Sequence, residues 1–174
     1  MFIKKLKQAA AKKVLENSLK NQDLLTENDK NKISSFACIL NVDEFNHTEV
    51  FYELAKELGL RQDQFKMIGF TASDIQKANF SVPVFSPDDL GWNGKIENGD
   101  IREFLDKEYD LLLNYYEEAP LILSLASVYT KAKFRVGLKE KNEKYNNMIL
   151  GVAAKEFLKF KPELLKYLSI LKKI

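Results

Sequence analysis

The spacing of apolar positions changes several times along the chain, and the changes mark out its elements. Phe2, Ile3, Leu6, Ala9, Ala10 and Val14 fall on one arc of a helical wheel, in a segment without Gly or Pro. This predicts a helix over Phe2–Leu19, although Lys13 and Lys20 intrude on the arc while Leu15 and Leu19 sit off it. Asn17 to Lys32 reads as the helix end and a polar linker. Ser35 to Asn41 is a short continuous apolar run of buried-strand type. Asn46 and Glu49 then form a capping-box pattern before Val50, Phe51, Leu54, Ala55 and Leu58, and Gly59 closes that helix.

Phe65–Phe70 is a second predicted strand and Ser81–Phe85 a third, placed at a sheet edge because Pro83 has no N–H to donate. Ser86 to Asp100 is turn-rich. A short helix follows over Ile101–Lys107, then the strongest strand pattern, Asp110–Tyr116, and a helix from Ala119 or Pro120 to Tyr129. Ala132–Gly137 and Asn147–Val152 read as further strands. Pro162 is expected in the first turn of a last helix with Leu164, Leu165, Leu168 and Leu171 on its buried face.

Short strands that are apolar without strict alternation, separated by helices, indicate a mostly parallel sheet covered on both faces. The fold expected is therefore α/β: a Rossmann-like three-layer sandwich with a mostly parallel sheet of about five or six strands and a basic N-terminal helix. Residues 1–32 form the basic helix and linker, and residues 33–174 a single α/β domain.

Composition agrees with a folded domain, at 45% hydrophobic and 30% charged residues in 174. No stretch has the length of a secretory signal core or a membrane span, so a cytoplasmic location is expected. One cysteine and one histidine exclude an internal disulfide, zinc fingers and two-histidine metal sites, and neither metal nor cofactor is expected. Charge adds more. The first twenty residues hold six lysines against one glutamate, whereas the whole chain carries only +2, so the remainder is slightly acidic.

Several residues are candidates for chemistry. In open α/β sheets, ligands sit beyond the carboxyl ends of the strands where strand order reverses. That crevice would be lined by Asn41, Asp43, Glu44, Asn114, Tyr115 and Tyr116, with Asp43 and Glu44 available as acid or base. Both carboxylates equally suit turn and pre-helix positions. The turn after the first strand has no glycine and two acids, and no GxGxxG or GxxxxGK[ST] occurs, which argues against nucleotide binding in the usual mode. Cys38 and His47 would make a nucleophile pair, but a cysteine inside an apolar strand is ordinarily an inert hydrophobe. Trp92 is read as the plug that fixes its glycine-punctuated loop on the core, with an exposed recognition aromatic as the other reading. Tyr129, Lys131, Lys133, Phe134 and Arg135 form a second basic-aromatic cluster, although strand alternation would divide them between faces.

Two resemblances follow from particular segments. Phe-Ile-Lys-Lys-Leu-Lys near the start, Tyr109–Tyr116, and Lys-Ala-Lys-Phe-Arg-Val-Gly at Lys131–Gly137 resemble an uncharacterised bacterial family of unknown function. Tyr109–Gly137 is also similar to part of the N-terminal domain of heptosyltransferases. That similarity implies a shared half-fold, with Asp43 as the nearest counterpart of the acidic base those enzymes place after their first strand.

The lysine-rich helix carries the functional expectation. Lysines that neutralise phosphates release counterions and give salt-sensitive affinity for nucleic acid. The leading reading is a non-catalytic protein docking on RNA or a ribonucleoprotein through Lys4, Lys5, Lys7, Lys12 and Lys13. Alternatives are an anionic membrane surface with Phe2, Ile3 and Leu6 inserted, an acidic protein, and a solvated helix packed on the domain. The reading from another class is a small ligand-binding or transferase-like domain working at Asn41, Asp43 and Asn114.

Overall fold

The computed structural model describes residues 1–22, 31–74 and 77–174. Its centre is a six-stranded sheet of β1 (Phe36–Asn41), β2 (Phe65–Phe70), β3 (Val84–Phe85), β4 (Glu108–Tyr115), β5 (Lys131–Gly137) and β6 (Met148–Ile149), in the order β3-β2-β1-β4-β5-β6. Every strand pair is parallel. This is the strand order of doubly wound dinucleotide-binding sheets, with the reversal between β1 and β4.

Helices α1 (Phe2–Asn21), α3 (Gly99–Leu105) and α4 (Leu121–Tyr129) cover one face, and α2 (Glu49–Glu57) and α5 (Phe157–Ile170) the other. Alternation along β1 feeds both layers. Phe36, Cys38 and Leu40 pack toward α2 and α5, and Ala37 and Ile39 toward α3 and α4. The α2–α5 core is aromatic: Phe51 lies edge-on to Tyr115 with ring centroids 4.9 Å apart, and Tyr115 edge-on to Phe160 at 5.0 Å. Such pairs each add about 0.5–1.5 kcal/mol beyond area burial.

Several expectations are corrected. The N-cap of α2 is Thr48 rather than Asn46, and its hydroxyl is hydrogen-bonded to Ser81 (2.9 Å) instead of to the helix. Helix α5 starts at Phe157, so Pro162 lies inside it and not in its first turn. Proline there has no N–H to give to the Leu158 carbonyl, and Leu158 lies on the exposed side of the helix. Phe157 and Phe160 supply the start of the buried face, whereas Leu171 is 42% exposed. The edge position of the third strand holds, but β3 is only Val84–Phe85 because Pro83 ends its pairing. The last strand shortens to Met148–Ile149. Part of the expected linker, residues 23–30, lies outside the described residues.

Candidate functional site

The loops following β1 and β4 face each other across the reversal point, where a ligand crevice is expected. Two carboxylates from the β1–α2 loop tie the neighbouring loops together. Glu44 accepts the backbone N–H groups of Glu117 (2.7 Å) and Glu118 (2.8 Å), ahead of α4. These are the kind of donors that phosphates take at a βα turn, and here the chain's own acid takes them. Asp43 reaches the opposite way, accepting from the Thr71 hydroxyl (2.6 Å), the Ala72 N–H (2.7 Å) and the Ser73 hydroxyl (3.3 Å) after β2. Glu117 extends the lacing by accepting the Ala154 N–H (2.7 Å). Burial pushes the Glu44 carboxyl above its ordinary value, against the pull of its two backbone N–H bonds, and the neighbouring charges of Glu117 and Glu118 push it further.

The remaining crevice candidates are turned inward. The Asn41 side-chain oxygen accepts the Asp43 N–H (3.1 Å). Asn114 is fully buried and donates to Asn146 (2.9 Å), which in turn donates to the Asn142 carbonyl (2.9 Å). Gly137 makes room for this pair, since a Cβ there would stand 2.3 Å from the Asn146 amide nitrogen. The Tyr115 hydroxyl donates to the Ala154 carbonyl (2.5 Å), and the Tyr116 hydroxyl is bonded to Ser127 (2.7 Å) in the other core. Replacing Glu44 by Ala leaves the part-buried Glu117 N–H without its acceptor and returns the exposed Glu118 N–H to water, and is expected to cost about 1–3 kcal/mol in chemical unfolding. A loss under about 0.5 kcal/mol would show that the carboxylate does not hold the loops together.

Nucleophilic and metal chemistry find no assembly among the described residues. Cys38 is fully buried in β1, and burial pushes its thiol well up. His47 is exposed beside Glu49, 3.5 Å away. No group of three His, Cys, Asp or Glu side chains is placed to hold a metal ion among the described residues.

Helix α1 is the open feature. It is anchored through Ala11, which is fully buried, with Val14 and Leu15 packed around it. The sequence arc of Phe2, Ile3 and Leu6 is not the packed one; these residues are 79%, 59% and 48% exposed at the tip. Lys5, Lys12 and Lys13 project to solvent, and they and Lys4 have no ion-pair partner among the described residues. Lys7 differs: it donates to the Leu90 carbonyl (3.3 Å) and stands 5.5 Å over the Trp92 ring. Trp92 is 47% exposed and so is a platform under Lys7 rather than a buried plug. The second basic cluster dissolves. Lys133 pairs with Asp110 (2.8 Å), and Arg135 is buried, donating to the Ser127 (2.5 Å) and Thr130 carbonyls at the end of α4. Desolvation there lowers the guanidinium to about 10. None of this capping was legible in the Lys-Ala-Lys-Phe-Arg run.

Fold and site together define an α/β protein with dinucleotide-fold strand order, crevice N–H groups taken by its own Glu44, and an N-terminal helix whose Lys4, Lys5, Lys12 and Lys13 have no ion-pair partner among the described residues. The chain matches, over residues 7–171, the model of a family described as a family of unknown function (DUF6913), and it belongs to that family. No curated protein and no solved structure matches it. The Tyr109–Gly137 segment compared with heptosyltransferases builds β4, α4 and β5, a strand–helix–strand unit common to such sheets, and no relative of that name supports the likeness.

Proposed function

We propose that this protein is a non-catalytic binding protein that docks on RNA or a ribonucleoprotein through the solvent face of α1. The observation that carries the reading is that Lys5, Lys12 and Lys13 project from α1 with no acidic partner among the described residues. Lysines left unneutralised by the fold are the ones a polyanion neutralises. Lys4 lies beside them, and Lys7 positions the helix against Trp92 instead of meeting phosphate. Glu44, by taking the Glu117 and Glu118 N–H groups that a ligand would use, weighs against the small-ligand or transferase-like alternative. No helix among the described residues is long and apolar enough to cross a membrane; a cytoplasmic location belongs to the same proposal.

The test is binding of a single-stranded RNA oligonucleotide across a salt series, with gradient sedimentation of the native protein with and without nuclease. The triple variant Lys5→Glu, Lys12→Glu, Lys13→Glu is expected to weaken binding more than tenfold and to reduce the salt slope by about one per lysine. Binding equal to wild type in the triple variant would sink the reading. One observation favours a second reading: the exposed Phe2, Ile3 and Leu6 suit insertion into an anionic membrane surface. Flotation with phosphatidylserine vesicles, lost in Phe2→Ser, Leu6→Ser, would select it.

A further inference from the structure

The outer edge of β2 leaves backbone unpaired in a slot between the two helical layers. The ladder sets which groups point outward: Gly69 N–H bonds the Pro83 carbonyl (2.9 Å) and Thr71 N–H the Phe85 carbonyl (3.0 Å), while the Phe70 carbonyl serves β1 through Val42. Alternation therefore aims the N–H and C=O of Met67 away from β1. β3 pairs only with Gly69 and Phe70, and position 83, which would next donate to the Met67 carbonyl, is proline. Met67 is 5% exposed, and among the described residues neither outward group has a partner. A backbone donor and acceptor left side by side along a cavity are open to pairing with another chain.

The space beside them has the form of a missing strand. A cavity of about 280 Å³ lies along Phe65–Ile68, beneath Pro83, with Tyr52 and Gln62 on one wall and Asp100, Glu103 and Lys107 on the other. At ~3.3 Å per residue, that length of edge admits about four residues of extended chain. Successive side chains of such a segment would turn alternately to the two walls. One wall carries an aromatic patch, where Tyr52 meets Phe65 edge-on at 5.1 Å. On the other, Lys107 is already held by Glu103 (3.2 Å), while Asp100 and Lys66, which alternation along β2 turns to this side, have no ion-pair partner among the described residues.

We propose that this slot receives an extended segment of a partner polypeptide as an added strand along β2, with an apolar residue toward Tyr52 and a basic residue toward Asp100. Main-chain bonds to Met67 give the affinity, and the two walls give side-chain preference, as in strand addition generally. The slot lies at the β2 edge and is built without any α1 residue, so it stands or falls independently of RNA docking.

The probe is a random heptapeptide library displayed against the full chain. Selected peptides are expected to alternate apolar and basic or polar residues, and the tightest to slow Met67 amide exchange at least tenfold without changing α1. Met67→Pro removes the outward donor while sparing the bonds to β1, and it is expected to cut affinity at least tenfold. Should that variant not fold, Asp100→Lys on the wall is expected to cut binding of the basic peptides at least tenfold. Selection of no peptide, or of peptides that protect amides elsewhere, would overturn the proposal. So would protection of Met67 that grows with protein concentration alone, because it would assign the edge to a second copy of the chain.

Discussion

Replacing Asp110 by Ala is expected to destabilise the fold by about 3 kcal/mol, because this one carboxylate ties together three adjacent strands. Asp110 sits near the start of β4. It accepts from the Ser34 N–H (2.8 Å) and hydroxyl (2.6 Å) and from the Ser35 N–H (3.1 Å), all just ahead of β1. Its other oxygen meets Lys133 of β5 at 2.8 Å, and its side chain is only 13% exposed. Burial works against the charge, but Lys133 and the Ser34 hydroxyl and N–H outweigh it and hold the carboxyl well below the usual range. The sign of the pH effect follows. A folded-state value below the unfolded ~3.9 contributes stability that is present above that pH and lost as pH falls toward the folded value. At neutral pH the thermal midpoint of Asp110→Ala should fall by about 6–12 °C, at ~2–4 °C per kcal/mol for a chain of this size. Below about pH 4 the gap to wild type should narrow. A gap equal at pH 7 and pH 3 would mean that the charge of Asp110 contributes nothing.

Gly94→Val is expected to lift α1 from the body at a cost of about 2–5 kcal/mol, combining a left-handed backbone penalty of ~1–2 with overpacking of ~1–3. Gly94 has φ +74, and a Cβ there would lie 3.3 Å from the Ala11 Cα and 3.2 Å from the Tyr129 hydroxyl. The Tyr129 hydroxyl already donates to the Gly94 carbonyl (2.9 Å), so it cannot yield without losing that bond. Ala11 is the one fully buried residue of α1, and the contact is therefore the helix's anchor. Limited trypsin digestion reads the outcome: cleavage at Lys12 and Lys13 should become fast in the variant while the sheet stays protected. Gly99→Ala serves as the control, since a Cβ at Gly99 meets nothing. Slow cleavage in Gly94→Val would show that α1 is held by something other than this close approach. Lifting α1 also removes the fixed orientation of its lysines, so RNA affinity should fall with it if the docking reading is right.

Much of the fold was legible in the chain. The runs around β1, β2 and β4 are largely apolar on both faces, and only a strand covered by helices on both sides requires that; β5 instead alternates Lys131, Lys133 and Arg135 with Ala132, Phe134 and Val136. Pro83 marked the edge because a residue without an N–H cannot continue a ladder. Elements at the margins were less legible. Asn46 and Glu49 make a capping pattern, yet the helix starts after Thr48, whose hydroxyl is drawn to Ser81 from across the fold. Pro162 signalled a helix start, but packing of Phe157 and Phe160 onto Phe51 and Tyr115 extends α5 past it.

The candidate site divides in the same way. Sequence by itself determined the chemical inventory: a lysine-rich helix, two acids where a phosphate loop would be, a lone thiol within an apolar strand. Only the tertiary structure decided what each group does. Glu44 meets N–H groups more than seventy residues away, Arg135 is buried against the end of α4, and Lys7 is occupied while Lys5, Lys12 and Lys13 have no ion-pair partner among the described residues. The open edge of β2 was equally hidden, since it depends on how few residues of β3 reach it. The reason is physical. Periodicity records which face of an element is buried, a local property, whereas a hydrogen bond or an empty slot depends on which distant elements arrive beside it.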